Sequence, residues 1–189
     1  NFADVDVGDS LSYSATGQPS TLTMSTAGTM SGTPLDADVG AHSIVVTASD
    51  GAASVTDTYV LTVTNVNDPG SGLSLDSDGD VADPDEDDTL SVTGTLVDED
   101  GVTGSTVTYV WSTGATSSTI ALGQSDVGTT ISVVLSYTDD RSESNTITLT
   151  AASDVDNVND SPTGSVTISG TAAEDEVLTA ANTLADEDG

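Results

Sequence analysis

Two near-identical segments, Asn65-Val66-Asn67-Asp68-Pro69 and Asn157-Val158-Asn159-Asp160-Ser161-Pro162, stand 92 positions apart (157 − 65). An acidic triplet recurs with them: Asp4-Val5-Asp6, then Asp98-Glu99-Asp100-Gly101, then Asp186-Glu187-Asp188-Gly189, at spacings of 94 and 88 (98 − 4 and 186 − 98). A period of about 90 residues suits one all-β module, so the chain reads as a tandem array rather than a single domain. The first module runs over residues 1–69 and the second over 70–162. Residues 163–189 make either the opening fragment of a third module or a donor strand for another copy.

Apolar residues alternate in short β-branched runs: Ile44 and Val46; Tyr59, Leu61 and Val63; Val107, Tyr109 and Trp111; Ile131, Val133, Leu135 and Tyr137; Val166 and Ile168. A period of two puts such side chains on one face of a pleated strand, toward a core. Ser and Thr fill the opposite faces, while Gly, Pro, Asn and Asp cluster in between, where turns need them. No segment carries a helical stripe. The expected class is all-β, with tandem Greek-key sandwiches. The first module looks short by one strand, because Leu90 and Leu96 precede the second triplet and Leu178 and Leu184 the third, but only Asn1 to Ala3 precede the first.

Charge narrows the function. Among 189 residues there are 32 acids, one His and a single basic side chain, Arg141, for a formal net charge of −31. Such a chain repels nucleic acid and anionic lipid and attracts cations. Acidic chains poor in aromatics are often disordered, but their apolar residues do not alternate as these do. With no cysteine, neither a disulfide nor a thiolate metal site can brace the modules, which leaves carboxylate-bound divalent cations. No apolar run reaches membrane-spanning length and no signal-peptide pattern is present, so membrane insertion is not expected. Both ends fall within motifs, as in an excerpt of a longer chain.

Calcium takes six to eight hard oxygens in a forgiving geometry. An Asn-x-Asn-Asp linker supplies amide and carboxylate oxygens within four residues, and an Asp-x-Asp triplet adds two carboxylates on one side of an extended segment. A further acid follows the third strand-like run of each module: Asp50 in the first, Asp139 or Asp140 in the second. A separate run from Asp76 to Asp88 places Asp76, Asp78, Asp80 and Asp87 at the acidic positions of an EF-hand-like loop. Val81 stands where that loop needs its glycine, and no helix is predicted on either side, so the run reads equally as an acidic spacer.

The segment from Phe2 to Tyr13, with Ser31-Gly32-Thr33-Pro34, Asp38-Val39-Gly40, Thr47 to Gly51 and Asn65 to Pro69, resembles the dystroglycan-type cadherin-like modules of bacterial surface proteins. Tyr109-Val110-Trp111, Ser125 to Gly128, Ser136 to Asp139, Asn157 to Pro162 and Thr163 to Gly170 are similar to the Ig-like repeats of large secreted adhesins of the RTX type. The resemblance implies a calcium-rigidified extracellular or surface-attached rod without catalysis, whose partners are neighbouring repeats or other copies of itself. It implies that Asn67 and Asp68 meet Asp98, Asp100 and Asp139, and that Asn159 and Asp160 meet Asp186 and Asp188, with Asn65 and Asn157 as further candidate ligands of the linkers. Asp4, Asp6 and Asp50 would form a half-site. The cadherin linker pattern DxNDN appears here with Asn65 and Asn157 first and with Pro69 and Ser161 last, and the cadherin DRE motif is not found. Fewer carboxylates per linker imply one ion per junction instead of three.

Trp111 ends an alternating strand and is expected in the core, as are Tyr13, Tyr59, Tyr109 and Tyr137; an exposed Trp111 or coplanar exposed tyrosines would instead suit a module that binds surface polysaccharide. His42 stands alone without a G-x-S-x-G elbow, so no catalytic triad is expected. Arg141 is expected to pair at the surface with Asp139, Asp140 or Glu143.

Overall fold

The computed structural model describes residues 10–188 and divides the chain into two compact units, Asn1–Asp68 and Pro69–Gly189. Asp4 and Asp6 lie outside the described residues. The structure is all-β, with two single-turn 3-10 segments as its helical content among the described residues. No helix is long and apolar enough to cross a membrane among them.

In the first unit, β1 (Ser12–Thr16), β4 (Gly40–Ser49) and β5 (Ser54–Val63) form one antiparallel sheet in the order β1-β4-β5. Between β1 and β4 come a hairpin of β2 (Leu22–Met24) and β3 (Met30–Gly32) and a 3-10 turn, Asp36–Asp38. Ile44, Ala48 and Leu22 are its buried apolar residues among those described. Tyr59 corrects the expectation of four core tyrosines, since it is 41% exposed. It sits on β5, which pairs on one edge with β4, and only Leu61 and Val63 of that strand are shielded.

The second unit repeats that sheet and adds a layer. Here β8 (Thr108–Trp111), β10 (Thr130–Thr138) and β11 (Ser144–Asp154) pair in the order β11-β10-β8. The other sheet has the order β6-β7-β9, from β6 (Ser71–Ser77), β7 (Thr89–Val97) and β9 (Thr119–Ala121). Along β10 the alternation is complete: Ile131, Val133, Leu135 and Tyr137 point inward and are buried, while Val134, Ser136 and Thr138 are exposed. They meet Trp111 from β8, Leu90 from β7 and Ile120 from β9, so the two sheets close over one core. Trp111 is 2% exposed, and its indole N–H donates to the Ser117 carbonyl at 2.8 Å, which satisfies the one polar atom the ring carries inward.

One recurring motif explains itself through turn geometry. Asp38-Val39-Gly40 and Asp126-Val127-Gly128 each follow a 3-10 turn that leads into the central strand of a sheet. The carboxylate closes the turn: Asp38 Oδ2 accepts from the Leu35 amide at 2.9 Å and Asp126 Oδ2 from the Gly123 amide at 3.1 Å. The glycine then takes a positive φ, 129° in one copy and 73° in the other.

Residues 163–188 repeat the opening of the second unit. There β12 (Val166–Ser169) pairs with β13 (Thr179–Asn182), as β6 pairs with β7. Gly72 and Gly164, 92 apart (164 − 72), both have positive φ, and a Cβ on either would lie within 2.3 Å of the carbonyl oxygen opposite, that of Thr95 or Thr183. Both hairpins therefore require glycine at that place. Leu90 of β7 is fully buried, while Leu178, 88 positions on, is 50% exposed, because β12 and β13 carry no second layer among the described residues.

Replacing Leu90 with alanine removes a methyl-rich side chain from the middle of this core, with an expected cost of about 2–5 kcal/mol. Urea unfolding followed by Trp111 emission measures it, because the chain's one tryptophan lies in that core; Val134→Ala, on the exposed face of β10, is expected to change stability by under about 0.5 kcal/mol.

Candidate metal centre

Three carboxylates converge in the second unit. Oxygens of Glu86, Asp160 and Asp188 all lie within 4.8 Å of one another, the one such acidic group among the described residues. Each comes from a different segment: Glu86 from the loop between β6 and β7, Asp160 from the Asn-Val-Asn-Asp linker, and Asp188 from the acidic triplet after β13. Backbone amides hold them in place. Val158 N donates to Glu86 Oε1 at 2.8 Å, and Asp160 N donates to Asp188 Oδ2 at 2.7 Å. Asp186 supports the triplet from within, its Oδ1 accepting from the Asp188 amide at 3.2 Å.

Glu86 is only 3% exposed, an unusual setting for a carboxylate. Its own amide donates to the Asp156 carbonyl at 2.9 Å, which fixes the loop against the end of β11. The Gln124 amide lies 2.7 Å from Glu86 Oε2 and 3.1 Å from Asn157 Oδ1, so it sits between the carboxylate and the linker. The donor set is one of hard oxygens, with the half-exposed Asp160 and the exposed Asp188 open to solvent beside the buried Glu86. That chemistry fits calcium better than a softer metal.

The structure thus joins Asp160 with Asp188. Asn159 turns aside, its Nδ2 donating to the Asp160 carbonyl at 2.9 Å, and Asn157 faces Gln124. Glu86 was not among the expected ligands, although a signal for it exists. At the offset of 88 that relates Asp98 to Asp186, Glu86 aligns with Glu174 and Asp87 with Asp175 (174 − 86 and 175 − 87). Asp87 and Asp175 are both left-handed, with φ of 72° and 65°, so the Glu-Asp pair belongs to a repeated turn.

The carboxylates of Asp98, Asp100 and Asp139, also expected as ligands in the second unit, have protein partners. Asp98 Oδ1 accepts from the Asp100 amide at 2.8 Å, and Oδ2 accepts from the Tyr137 hydroxyl at 2.5 Å. Asp139, 5% exposed, takes the amides of Arg141 and Glu143 on Oδ1, both at 2.9 Å, and the Asn145 side-chain amide on Oδ2 at 2.9 Å. It is the acceptor that shapes the turn between β10 and β11, with Ser142 at φ 71°. Asp140 binds back through its amide to the Gly101 carbonyl at 3.0 Å. Arg141 corrects the expectation of a surface pair with a sequence neighbour: its guanidinium Nε lies 3.0 Å from Oδ1 of Asp100, whose side chain is wholly buried.

Elsewhere, carboxylates close turns. In the first unit Asp50 Oδ1 accepts from the amides of Ala53 and Ala52 at 2.6 and 2.7 Å, and those bonds hold its carboxyl below the ordinary aspartate range. Asp38 is lowered too, chiefly by the Thr21 hydroxyl at 2.6 Å and then by the Leu35 amide. Asn65, Asn67 and Asp68 form the last residues of that unit. In the 76–88 loop, Asp78 accepts from the Thr89 amide, Asp80 from the Ala82 amide and Asp76 from the Ser77 amide, at 2.6, 2.9 and 3.1 Å. Asp87 holds its left-handed turn. Asp76, Asp78 and Asp80 thus bond to backbone amides of the loop and of its flanking strands.

Two side chains singled out in the sequence have structural partners, while Tyr59 stays exposed. Trp111 is buried with its N–H satisfied, so it offers no platform for sugar. His42 lies on β4 with Nε2 2.6 Å from the Asp38 carbonyl, a backbone contact that ties the strand to the preceding turn.

Fold and site together describe an Ig-like β-sandwich repeat whose acidic loops gather at the ends of its strands. Residues 1–64 match the family model He_PIG, described as "Putative Ig domain". No curated protein matches the chain.

Tyr137 yields a pH test. Burial, then its hydrogen bond to Asp98, pushes the hydroxyl up from the ordinary 10 to about 12. The folded state therefore keeps a proton that the unfolded chain releases first. This contribution is whole below about pH 10 and is lost as pH rises from there to about 12. Tyr137→Phe is expected to remove that alkaline loss while costing about 1.5–3 kcal/mol near neutrality for the lost bond to a charged acceptor. Urea unfolding at pH 8, 10 and 11.5, read by Trp111 emission, measures both.

Proposed function

We propose that this chain is a calcium-stiffened structural and adhesive repeat segment of an extracellular or surface-attached protein. The observation that carries the reading is the convergence of Glu86, Asp160 and Asp188 within 4.8 Å. Three negative charges at that separation repel strongly, and screening over about 8 Å does little at such range. A divalent cation reverses the sign of the interaction.

The position of the three acids gives the ion a mechanical role. Glu86 belongs to a loop packed on the sandwich, Asp160 to the linker leaving it, and Asp188 to the turn after the β12–β13 hairpin. An ion held by all three restrains the linker against the sandwich and the hairpin against the linker. A string of such repeats then resists bending, and its function comes from reach and presentation, with no chemistry asked of the modules. The neighbouring repeats are its first partners.

The uncovered hairpin favours a second reading. Val166 and Ile168 are 63% and 71% exposed, so another copy could receive this segment by strand addition. Sedimentation velocity over a wide concentration range separates the two, since strand addition predicts growing oligomers and a simple repeat predicts one monomeric boundary.

Calcium is expected to raise the thermal midpoint of the second unit. For an extracellular-type site with a dissociation constant near 10⁻⁴ M, about 100-fold excess ion contributes roughly 2.7 kcal/mol, a shift on the order of 10 °C. Chelator should reverse it, and Glu86→Gln should abolish it. Scanning calorimetry with calcium, magnesium and chelator makes the comparison; an equal response to magnesium, or none to calcium, overturns the proposal.

A further inference from the structure

The tetrapeptide Asp-Glu-Asp-Gly occurs twice, at 98–101 and 186–189. Its two described copies share a local bond, the first Asp accepting the amide of the second, at 2.8 Å in Asp98–Asp100 and 3.2 Å in Asp186–Asp188. Their surroundings differ in charge and in burial. Asp188 stands with two other carboxylates, whereas Asp100 stands with the only Lys or Arg side chain in the chain.

We propose that Arg141 is a built-in substitute for a metal ion at the Asp98–Asp100 turn, so that this end of the second unit is held without calcium. The geometry carries the argument. Arg141 Nε lies 3.0 Å from Asp100 Oδ1, with the Asp100 side chain wholly buried and Arg141 29% exposed. The backbone aims the guanidinium: the Arg141 amide is fixed by Asp139 Oδ1, and the adjoining Asp140 amide by the Gly101 carbonyl at 3.0 Å. Gly101 takes a φ of 87°, a conformation that favours glycine, at the turn whose carbonyl receives the Asp140 amide. Beside it, Asp98 Oδ2 accepts from the Tyr137 hydroxyl and Asp139 Oδ2 from the Asn145 side-chain amide. A fixed positive charge beside Asp100 repels a second cation and supplies what an ion would supply, a bridge between two acidic turns.

This inference deepens the calcium reading by saying which of two like turns takes the ion, and it is tested separately from it. Calcium and terbium titrations of the full chain count bound ions for the parent, Asp100→Asn, Arg141→Gln, Arg141→Lys and Arg141→Gln with Asp100→Asn. The expected result is no change in ion number for Asp100→Asn or Arg141→Lys, one additional ion for Arg141→Gln, and its loss again in the double variant. Circular dichroism of each variant in calcium establishes that it is folded. A parent chain that loses one ion on Asp100→Asn overturns the proposal, as does a folded Arg141→Gln that gains none. Glu86→Gln removes the ion at the other turn, so failure of the calcium reading shows there and leaves the Asp100 result to be judged alone.

Discussion

The hydrogen bond from a backbone amide to an aspartate carboxylate is the interaction on which this structure depends. Turns must satisfy their amides, and a chain with no disulfide and almost no basic side chains has few other means of fixing them. Asp38, Asp50, Asp78, Asp80, Asp98, Asp126, Asp139 and Asp186 each accept an amide within three or four residues, or across a turn. A charged acceptor makes such bonds stronger than neutral ones. The acidic composition is thus in good part a set of turn clamps distributed along the loops, between strands whose outer faces are mostly Ser and Thr.

The same habit explains why most acids are poor candidates for metal ligation and a few are better. A carboxylate that spends its lone pairs on the backbone, as Asp139 does with three donors, has little left to offer. Glu86, Asp160 and Asp188 differ because segments far apart in sequence bring them together. Their longest sequence separation is 102 residues (188 − 86), so their proximity is a product of the tertiary fold.

Much of the architecture was legible beforehand. Alternation marked β4, β5, β8, β10 and β12, because a half-buried strand writes its two faces into the sequence. Trp111 and Tyr137 entered the core as that pattern requires. Tyr59 did not, because alternation tells which residues share a face and says nothing about whether a second sheet covers it. The site was legible in part. Asp160 and Asp188 belonged to repeated motifs, but the pairing of Arg141 with Asp100 rather than a neighbour depends on how two turns fold back on each other across 41 residues (141 − 100). Glu86 was hidden among seven aspartates in one loop, where a search by calcium-loop spacing passes over it.

The lone basic side chain also sets how this chain meets proteases. An enzyme that cuts after Lys or Arg finds one susceptible bond, Arg141–Ser142, in the turn whose amides Asp139 holds and whose guanidinium faces Asp100. Cleavage needs an extended strand of backbone in the enzyme's cleft, so that turn must open before it can be cut. Resistance to trypsin-like digestion is thereby governed by a single local opening.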